Sequence, residues 1–383
     1  MKESIIILML SILLNSCVDR ISISIPDADA SQLVVDGLIT DEPGPYTVKL
    51  TLSSRVEGFL EFSIKPVNLA KVTIFDNEGN AELLEDMGKG IYQTKANGIR
   101  GVIGREYAVR IVTYEGEVYE SLPDKMNPVG EIDSLYATLE TFQPISSPTE
   151  NGFRVYIDAQ GVADTDNLFR WKFTGTYIED TYPQFHVQCS QTCSTPECCG
   201  CPAPRPCSGF IINAVGVLQR ISECTCCVCW VNQYESKPYV SDNQFLANGR
   251  FKNVEVAYIP IAYFPFRKKY RAEVKQMSLS RTAFDYWKTI QSQKEGASSL
   301  FQPPTGKVRT NVFEEKGKRD AQGLFYASAV SLKQKYFTSE DVKELFLQIP
   351  RRNNCYEPDR TFVTESCLLA FKHSSTQPPA DWQ

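Results

Sequence analysis

The chain predicts a mostly β protein with two β-sandwich-like domains, the second with one or two helices and a Cys-rich insertion. Three observations lead there. Short segments of period-2 hydrophobicity recur along the chain, as strands with one buried face require. Turn formers punctuate them, in a sequence that holds 22 Gly and 22 Pro. The length of 383 residues accommodates two domains at roughly 100–200 residues each.

The first domain is assigned to residues 31–125. Residues 33–39 read Leu-Val-Val-Asp-Gly-Leu-Ile and run into the dense turn signal Thr40-Asp-Glu-Pro-Gly-Pro45. Residues 46–52 then alternate apolar and polar. Residues 70–75, followed by Asp76-Asn-Glu-Gly79, read as a hairpin. Segments 90–94, 106–113 and 118–121 complete about seven strands, the density of an Ig-like/transthyretin-like sandwich of about 100 residues. Residues 123–128, bracketed by Pro123 and Pro128, read as a linker.

The second domain is assigned to residues 130–375. Residues 132–136, 153–158, 168–173 and 270–277 favour strands. Residues 281–294 break that period. Ala283, Phe284, Trp287 and Ile290 fall on one face of an amphipathic helix, with Ser280 as its N-cap. Thr338-Ser-Glu-Asp341 ahead of Val342, Leu345 and Phe346 predicts a second, shorter helix. Residues 189–229 hold ten cysteines among prolines and glycines, which reads as a cross-linked insertion and not as a third core.

The composition, 42% hydrophobic and 22% charged, is that of a folded globular chain. No apolar run reaches the roughly 20 residues of a transmembrane helix. With 40 basic against 46 acidic side chains, a net charge of -6 and no basic stripe, nucleic acid is not an expected partner. The two histidines, His186 and His373, are too few for His-based metal or triad chemistry to be expected. Gly-x-Ser-x-Gly, His-Glu-x-x-His and phosphate-loop motifs do not occur. The expectation is a non-enzymatic protein that uses no cofactor and no metal.

Residues 1–16 have the grammar of a bacterial lipoprotein signal peptide: Lys2, an apolar core over residues 5–14, then Asn15-Ser16-Cys17. In that grammar the residue after the cut receives the lipid, so Cys17 is the lipidation site and residues 17–30 form a tether. Acyl chains contribute about 0.8 kcal/mol per buried CH₂, so two or more hold a protein stably at a membrane. The alternative is a general secretory signal followed by an incidental cysteine.

Of the 13 cysteines, reserving Cys17 for lipid leaves twelve, an even number: Cys189, Cys193, Cys198, Cys199, Cys201, Cys207, Cys224, Cys226, Cys227, Cys229, Cys355 and Cys367. In an exported chain an even set reads as a disulfide framework. Cys224-Thr-Cys226-Cys227-Val-Cys229, with Cys198-Cys199-Gly-Cys201, also has the spacing that lets several thiolates reach one soft ion. A metal-handling use of the insertion is therefore the rival reading. A disulfide needs a particular Cα separation, so the vicinal pairs 198/199 and 226/227 should point to different partners. The connectivity within the cluster stays open.

Several blocks carry a family resemblance. They are residues 32–46 (Gln-Leu-Val-Val-Asp-Gly-Leu-Ile-Thr-Asp-Glu-Pro-Gly-Pro-Tyr), 90–92, 105–111, 132–136 and 164–171, then 276–280 with Tyr286-Trp287, 300–304 and 323–331. Together they resemble a domain-of-unknown-function family of Bacteroidota outer-membrane lipoproteins, often encoded beside SusC-type TonB-dependent receptors. The resemblance implies a lipid-anchored address at the outer membrane. It also implies a role as accessory subunit of a TonB-dependent receptor, in nutrient binding or transporter stabilisation. A structural or adhesive surface protein is the other alternative. Members commonly end in Cys-x-x-Cys, whereas Cys367-Leu-Leu-Ala370 lacks the second cysteine; the resemblance thereby pairs Cys367 with Cys355. The ten-cysteine insertion is not part of the resemblance.

Three further features have a chemical and a plain reading. Asp164-Thr-Asp166-Asn167 could seed a calcium loop but lacks its glycine and glutamate, and reads as a solvated turn. Glu314-Glu315 beside Lys316 and Lys318 reads as a surface charge run. Trp171, Trp230 and Trp287, with the aromatic run 258–266, could stack on sugar rings, but aromatics at strand or helix spacing are expected in cores.

Overall fold

β-Branched and aromatic residues at period two give this chain its strands, and two pairs of sheets bury the resulting apolar faces. The computed structural model describes residues 32–53, 65–142, 150–188, 201–241, 246–296, 308–317, 320–343 and 363–382. The signal segment, Cys17 and the tether lie outside the described residues, as do Cys189, Cys193, Cys198, Cys199 and Cys355.

In the first unit one sheet has the order Gln322–Ser328, Leu33–Thr40, Thr47–Leu52, Ile91–Gln93, Glu85–Asp86. The other runs Val312–Glu314, Val118–Ser121, Glu106–Val112, Lys71–Asp76, Ala81–Leu83. Their inner faces share one core, built on Val35, Leu50, Ile74, Tyr107, Val109 and Phe325. Two strands of this pair of sheets come from residues 312–328, which the sequence assigns to the second domain. The strand Gln322–Ser328 pairs parallel to Leu33–Thr40, from Val34↔Gln322 to Thr40↔Ser328. A pairing between residues so far apart leaves no local trace in the sequence. Gly323 makes the approach possible: at φ +89°, a Cβ there would lie 1.9 Å from the Val35 carbonyl oxygen.

The linker expected at residues 123–128 is a built part of the junction. Asp124–Lys125 pairs with Glu106 and Tyr107, and Asp124 and Met126 are buried. Two prolines read as a spacer in the sequence here bracket a strap.

The second unit joins a four-stranded sheet, Ile132–Phe142, Glu150–Gln160, Arg250–Pro260, Leu246–Ala247, to a larger one. The larger sheet has the order Val330–Thr338, Lys269–Ser278, Phe169–Asp180, Val228–Tyr234, Ser374–Ser375. Phe153, Val155, Trp171, Phe251, Val274 and Tyr270 lie in their common core.

The helix Arg281–Gly296 forms where the period changes. Ser280 Oγ accepts a hydrogen bond from the Ala283 backbone N–H at 3.2 Å, the N-cap read from the sequence. Ala283, Phe284 and Trp287 pack on Met277, Leu279, Leu324 and Tyr326, a separate cluster between the two units. At residue 338 the capping box forms between Thr338 and Asp341, but the element is a single 3₁₀ turn, Ser339–Val342. Leu345 and Phe346 lie outside the described residues. Among the described residues no helix is long and apolar enough to cross a membrane.

Candidate functional site

The cysteine-rich segment closes one end of the large sheet. After the turn Pro206–Ser208, Gly209 adopts φ 75°, and the hairpin Phe210–Ile212/Leu218–Arg220 follows. Disulfides join Cys207 to Cys226, Cys224 to Cys227 and Cys229 to Cys367, with Cα separations of 5.6, 5.8 and 6.0 Å. Vicinal Cys226 and Cys227 take different partners, as the geometry of the bond requires. These cysteines are thus tied sulfur to sulfur, and the run 224–229 offers no thiolate to a soft ion. The hairpin leaves Ile211, Val217 and Ile221 exposed and Val215 81% exposed at its tip.

Two sequence expectations are corrected here. Cys367 bonds to Cys229 and not to Cys355. The strand Val228–Tyr234 places Cys229 opposite Glu179 in the large sheet. The short helix Cys367–Ala370 docks beside it, the Cys367 N–H donating to the Cys226 carbonyl at 3.1 Å. Both sulfurs are thereby buried at one point. The insertion also ends earlier than residue 229, because Val228 and Cys229 are already sheet residues. The alternation Val228, Trp230, Asn232 was visible in the sequence but was masked by the cysteines around it.

A second concentration of polar chemistry lies at the seam between the units. Arg170 is 8% exposed; its guanidinium pairs with Glu235, lies 3.7 Å over the Trp287 ring and donates to the Tyr326 hydroxyl at 3.5 Å. Lys275 reaches across to Glu42, with both carboxylate oxygens at 2.8 Å. Lys172 lies directly opposite Lys275 on the neighbouring strand. Its ammonium is held below the usual lysine range, first by desolvation and then by Arg170. Asp124 is pushed up to about 6 by burial, although Ser280 Oγ donates to it and its other oxygen accepts from the Ala327 N–H at 2.9 Å. Asn127 Nδ2 donates to the Leu279 carbonyl at 3.0 Å, and Gln276 Nε2 to the Gly130 carbonyl at 2.8 Å. Sequence reading missed this set. The alternation around Trp171 and Val274 turns residues 170, 172 and 275 outward, but nothing local says that they meet carboxylates from residues 42 and 235.

The turn at residues 164–167 separates two grooves of ≈ 490 and ≈ 480 Å³. Asn167 Oδ1 accepts from the Val162 N–H at 2.6 Å, and Asp166 pairs with Arg281 at 2.9 Å. It is the turn the sequence suggested. Among the described residues no group of three His, Cys, Asp or Glu side chains is placed to hold a metal ion. The tryptophans take the plainer reading too. Trp171 is 1% exposed and donates from Nε1 to Gln276 at 2.7 Å. Trp287 is stacked on Arg170, and Trp230 packs edge-on against Trp382. His186 lies 3.8 Å from Glu365, which Arg205 clamps, and His373 packs against Tyr234.

Interlocked β units, braced by disulfides at one end and by buried polar contacts at their junction, define a class of rigid β scaffold. This chain belongs to the family described as a domain of unknown function, DUF4249, whose model matches residues 18–334. The match opens immediately after Cys17 and ends within the strand Val330–Thr338, so Cys367 lies beyond it. A domain-of-unknown-function family is what the sequence blocks suggested. No curated protein matches the chain.

Proposed function

We propose that the chain is an outer-membrane lipoprotein, anchored through Cys17, that serves as a non-enzymatic accessory subunit of a TonB-dependent, SusC-like receptor. Its contribution is nutrient binding or stabilisation of the transporter. The observation that carries the exported address is the sulfur chemistry. Disulfides are found where an oxidising compartment allows them, and the three here sit in a chain whose residues 1–17 read as a lipoprotein signal and its cysteine. The receptor partner rests on the family resemblance of the sequence blocks. An anchor of this kind confines the chain beside integral membrane partners, so a modest interface gives a stable complex by effective concentration.

The test is fractionation followed by affinity purification from gently solubilised native membranes. Wild-type protein should stay with the outer membrane and bring down a barrel receptor. Cys17→Ala should move to the soluble fraction. A Cys17→Ala chain that stays at the membrane with no receptor attached rules out the anchor. Failure to recover a receptor, where other receptor complexes survive, rules out the partnership.

A further inference from the structure

We propose that the disulfide Cys224–Cys227 is a thiol-exchange centre that takes two electrons from a dithiol donor, while the other two described disulfides stay closed as braces. The inference goes beyond the accessory-subunit reading and does not depend on it.

The three bonds differ in the loops they close. Their sequence separations are 3 for Cys224–Cys227, 19 for Cys207–Cys226 and 138 for Cys229–Cys367. The stabilisation a cross-link draws from the unfolded chain shrinks with the loop it closes, so the Cys224–Cys227 bond contributes least. They differ also in access. Cys226 is 3% exposed, and Cys229 and Cys367 are both 0% exposed, so each of the other two bonds has a buried end. Neither Cys224 nor Cys227 is buried, and Glu223, Thr225 and Val228 around them are exposed. Exposed disulfides are the ones that exchange with thiols, and a Cys-x-x-Cys spacing favours the thiolate that such exchange requires.

The turn that carries the bond is held without it. The Thr225 N–H donates to the Cys207 carbonyl at 2.9 Å. The Cys226 carbonyl accepts from the Cys367 N–H and from the Thr181 hydroxyl, both at 3.1 Å. The Cys227 carbonyl accepts from the Thr181 N–H at 2.7 Å. Cys226 is tied by sulfur to Cys207 as well. Opening Cys224–Cys227 therefore frees two side chains and leaves the segment in place. Just before it in the chain, the hairpin with Ile211, Val217 and Ile221 exposed offers an apolar seat to a donor carried on a peptide.

In the exchange, a donor thiolate attacks one sulfur, breaking the Cys224–Cys227 bond and forming a mixed disulfide; the other cysteine leaves as a thiolate and takes up a proton. The donor's second thiolate then attacks the donor sulfur of the mixed disulfide and releases the remaining cysteine, which is protonated in turn. The donor ends as a disulfide, and the pair has gained two electrons and two protons.

The test equilibrates the mature full chain anaerobically over a series of reduced-to-oxidised dithiothreitol ratios, followed by acid quenching, alkylation and peptide mapping. Cys224 and Cys227 should become alkylated together at a ratio at least about tenfold below that which opens Cys207–Cys226 or Cys229–Cys367, a difference of about 30 mV for a two-electron couple. Circular dichroism and the urea midpoint should not change while only that pair is open. Cys224→Ser with Cys227→Ser should fold with the wild-type midpoint. Opening of all three bonds together, opening only on unfolding, or a lowered midpoint in the serine variant each makes the bond a structural one and overturns the proposal. A reduced Cys-x-x-Cys peptide flanked by leucines that reacts faster than dithiothreitol, at equal thiolate concentration, identifies a protein donor seated on the hairpin; an equal or slower rate identifies a small dithiol.

Discussion

The bond between Cys229 and Cys367 closes a loop with a sequence separation of 138, by far the longest of the three disulfides described. Replacing both residues by alanine releases that loop in the unfolded chain. The chain-entropy relation gives about 5 kcal/mol for a loop of this length, and removal of native disulfides typically costs about 2–5 kcal/mol. Both residues are fully buried, so the double alanine variant also leaves a void with nothing to fill it. A loss of about 2–5 kcal/mol is expected. It should fall on the second unit, since the bond ties the strand Val228–Tyr234 to the segment that carries Ser374–Ser375 along its edge. Trp230 and Trp382 pack 6.3 Å apart between ring centroids in that region, so tryptophan fluorescence during urea unfolding reports on it. The midpoint of the double variant should move to clearly lower urea than that of the unreduced wild type. Peptide mapping of unreduced protein should recover a Cys229–Cys367 cross-link. An unchanged midpoint, or recovery of a Cys355–Cys367 peptide, would refute the reasoning.

Three further outcomes are expected. Asp124 has a folded pKa of about 6, above the ordinary 3.8, so the native state takes up its proton before the unfolded state does. Its contribution to stability should therefore grow as pH falls from 7 towards 4, and Asp124→Asn should remove that part of the slope; equal pH slopes of the urea midpoint in the two proteins would contradict this. Gly323→Ala, which forces a Cβ onto the Val35 carbonyl at positive φ, should cost about 3 kcal/mol or more and expose the first unit to limited proteolysis, whereas wild-type resistance would contradict it. Replacing residues 189–223 by a Gly/Ser linker, with Cys226→Ala because its partner Cys207 is gone, should leave circular dichroism and cooperative unfolding intact. Extending the replacement through Trp230 should abolish both, because it removes the start of a sheet strand, and a folded product would show the boundary to be wrong.

Elements that depend on local pattern were legible in the sequence. The alternating segments became strands, and Ser280 with Ala283, Phe284 and Trp287 marked both the cap and the buried face of the helix. The separate partners of Cys226 and Cys227 followed from bond geometry. What stayed hidden depends on contacts between distant residues. Nothing near Gln322 announces that its strand will lie parallel to Leu33–Thr40. Nothing near Cys367 announces that Cys229 will be its partner, since their proximity is created by the large sheet. The charged seam was hidden for the same reason: Lys275 and Glu42 are 233 residues apart.

The junction between the units has the character of a weld and not of a hinge, and this bears on how the protein can act. The strand Gln322–Ser328 belongs to the first unit and Val330–Thr338 to the second, with only Ala329 between them. Ala329 is itself buried, and its N–H donates to Ser278 Oγ at 2.9 Å. Next to it the Val330 N–H donates to Asp41 Oδ1 at 2.9 Å, and Glu42 in the same turn holds Lys275. Turning one unit against the other would break these hydrogen bonds, and the one from Ala329 is buried, so its loss leaves polar groups unpaired at about 1–3 kcal/mol. Ligand-driven domain closure, common where units meet through a loose linker, is therefore disfavoured in this chain. Any partner must then read the protein through the surface it presents, because the hydrogen bonds across the junction oppose signalling by moving the units apart.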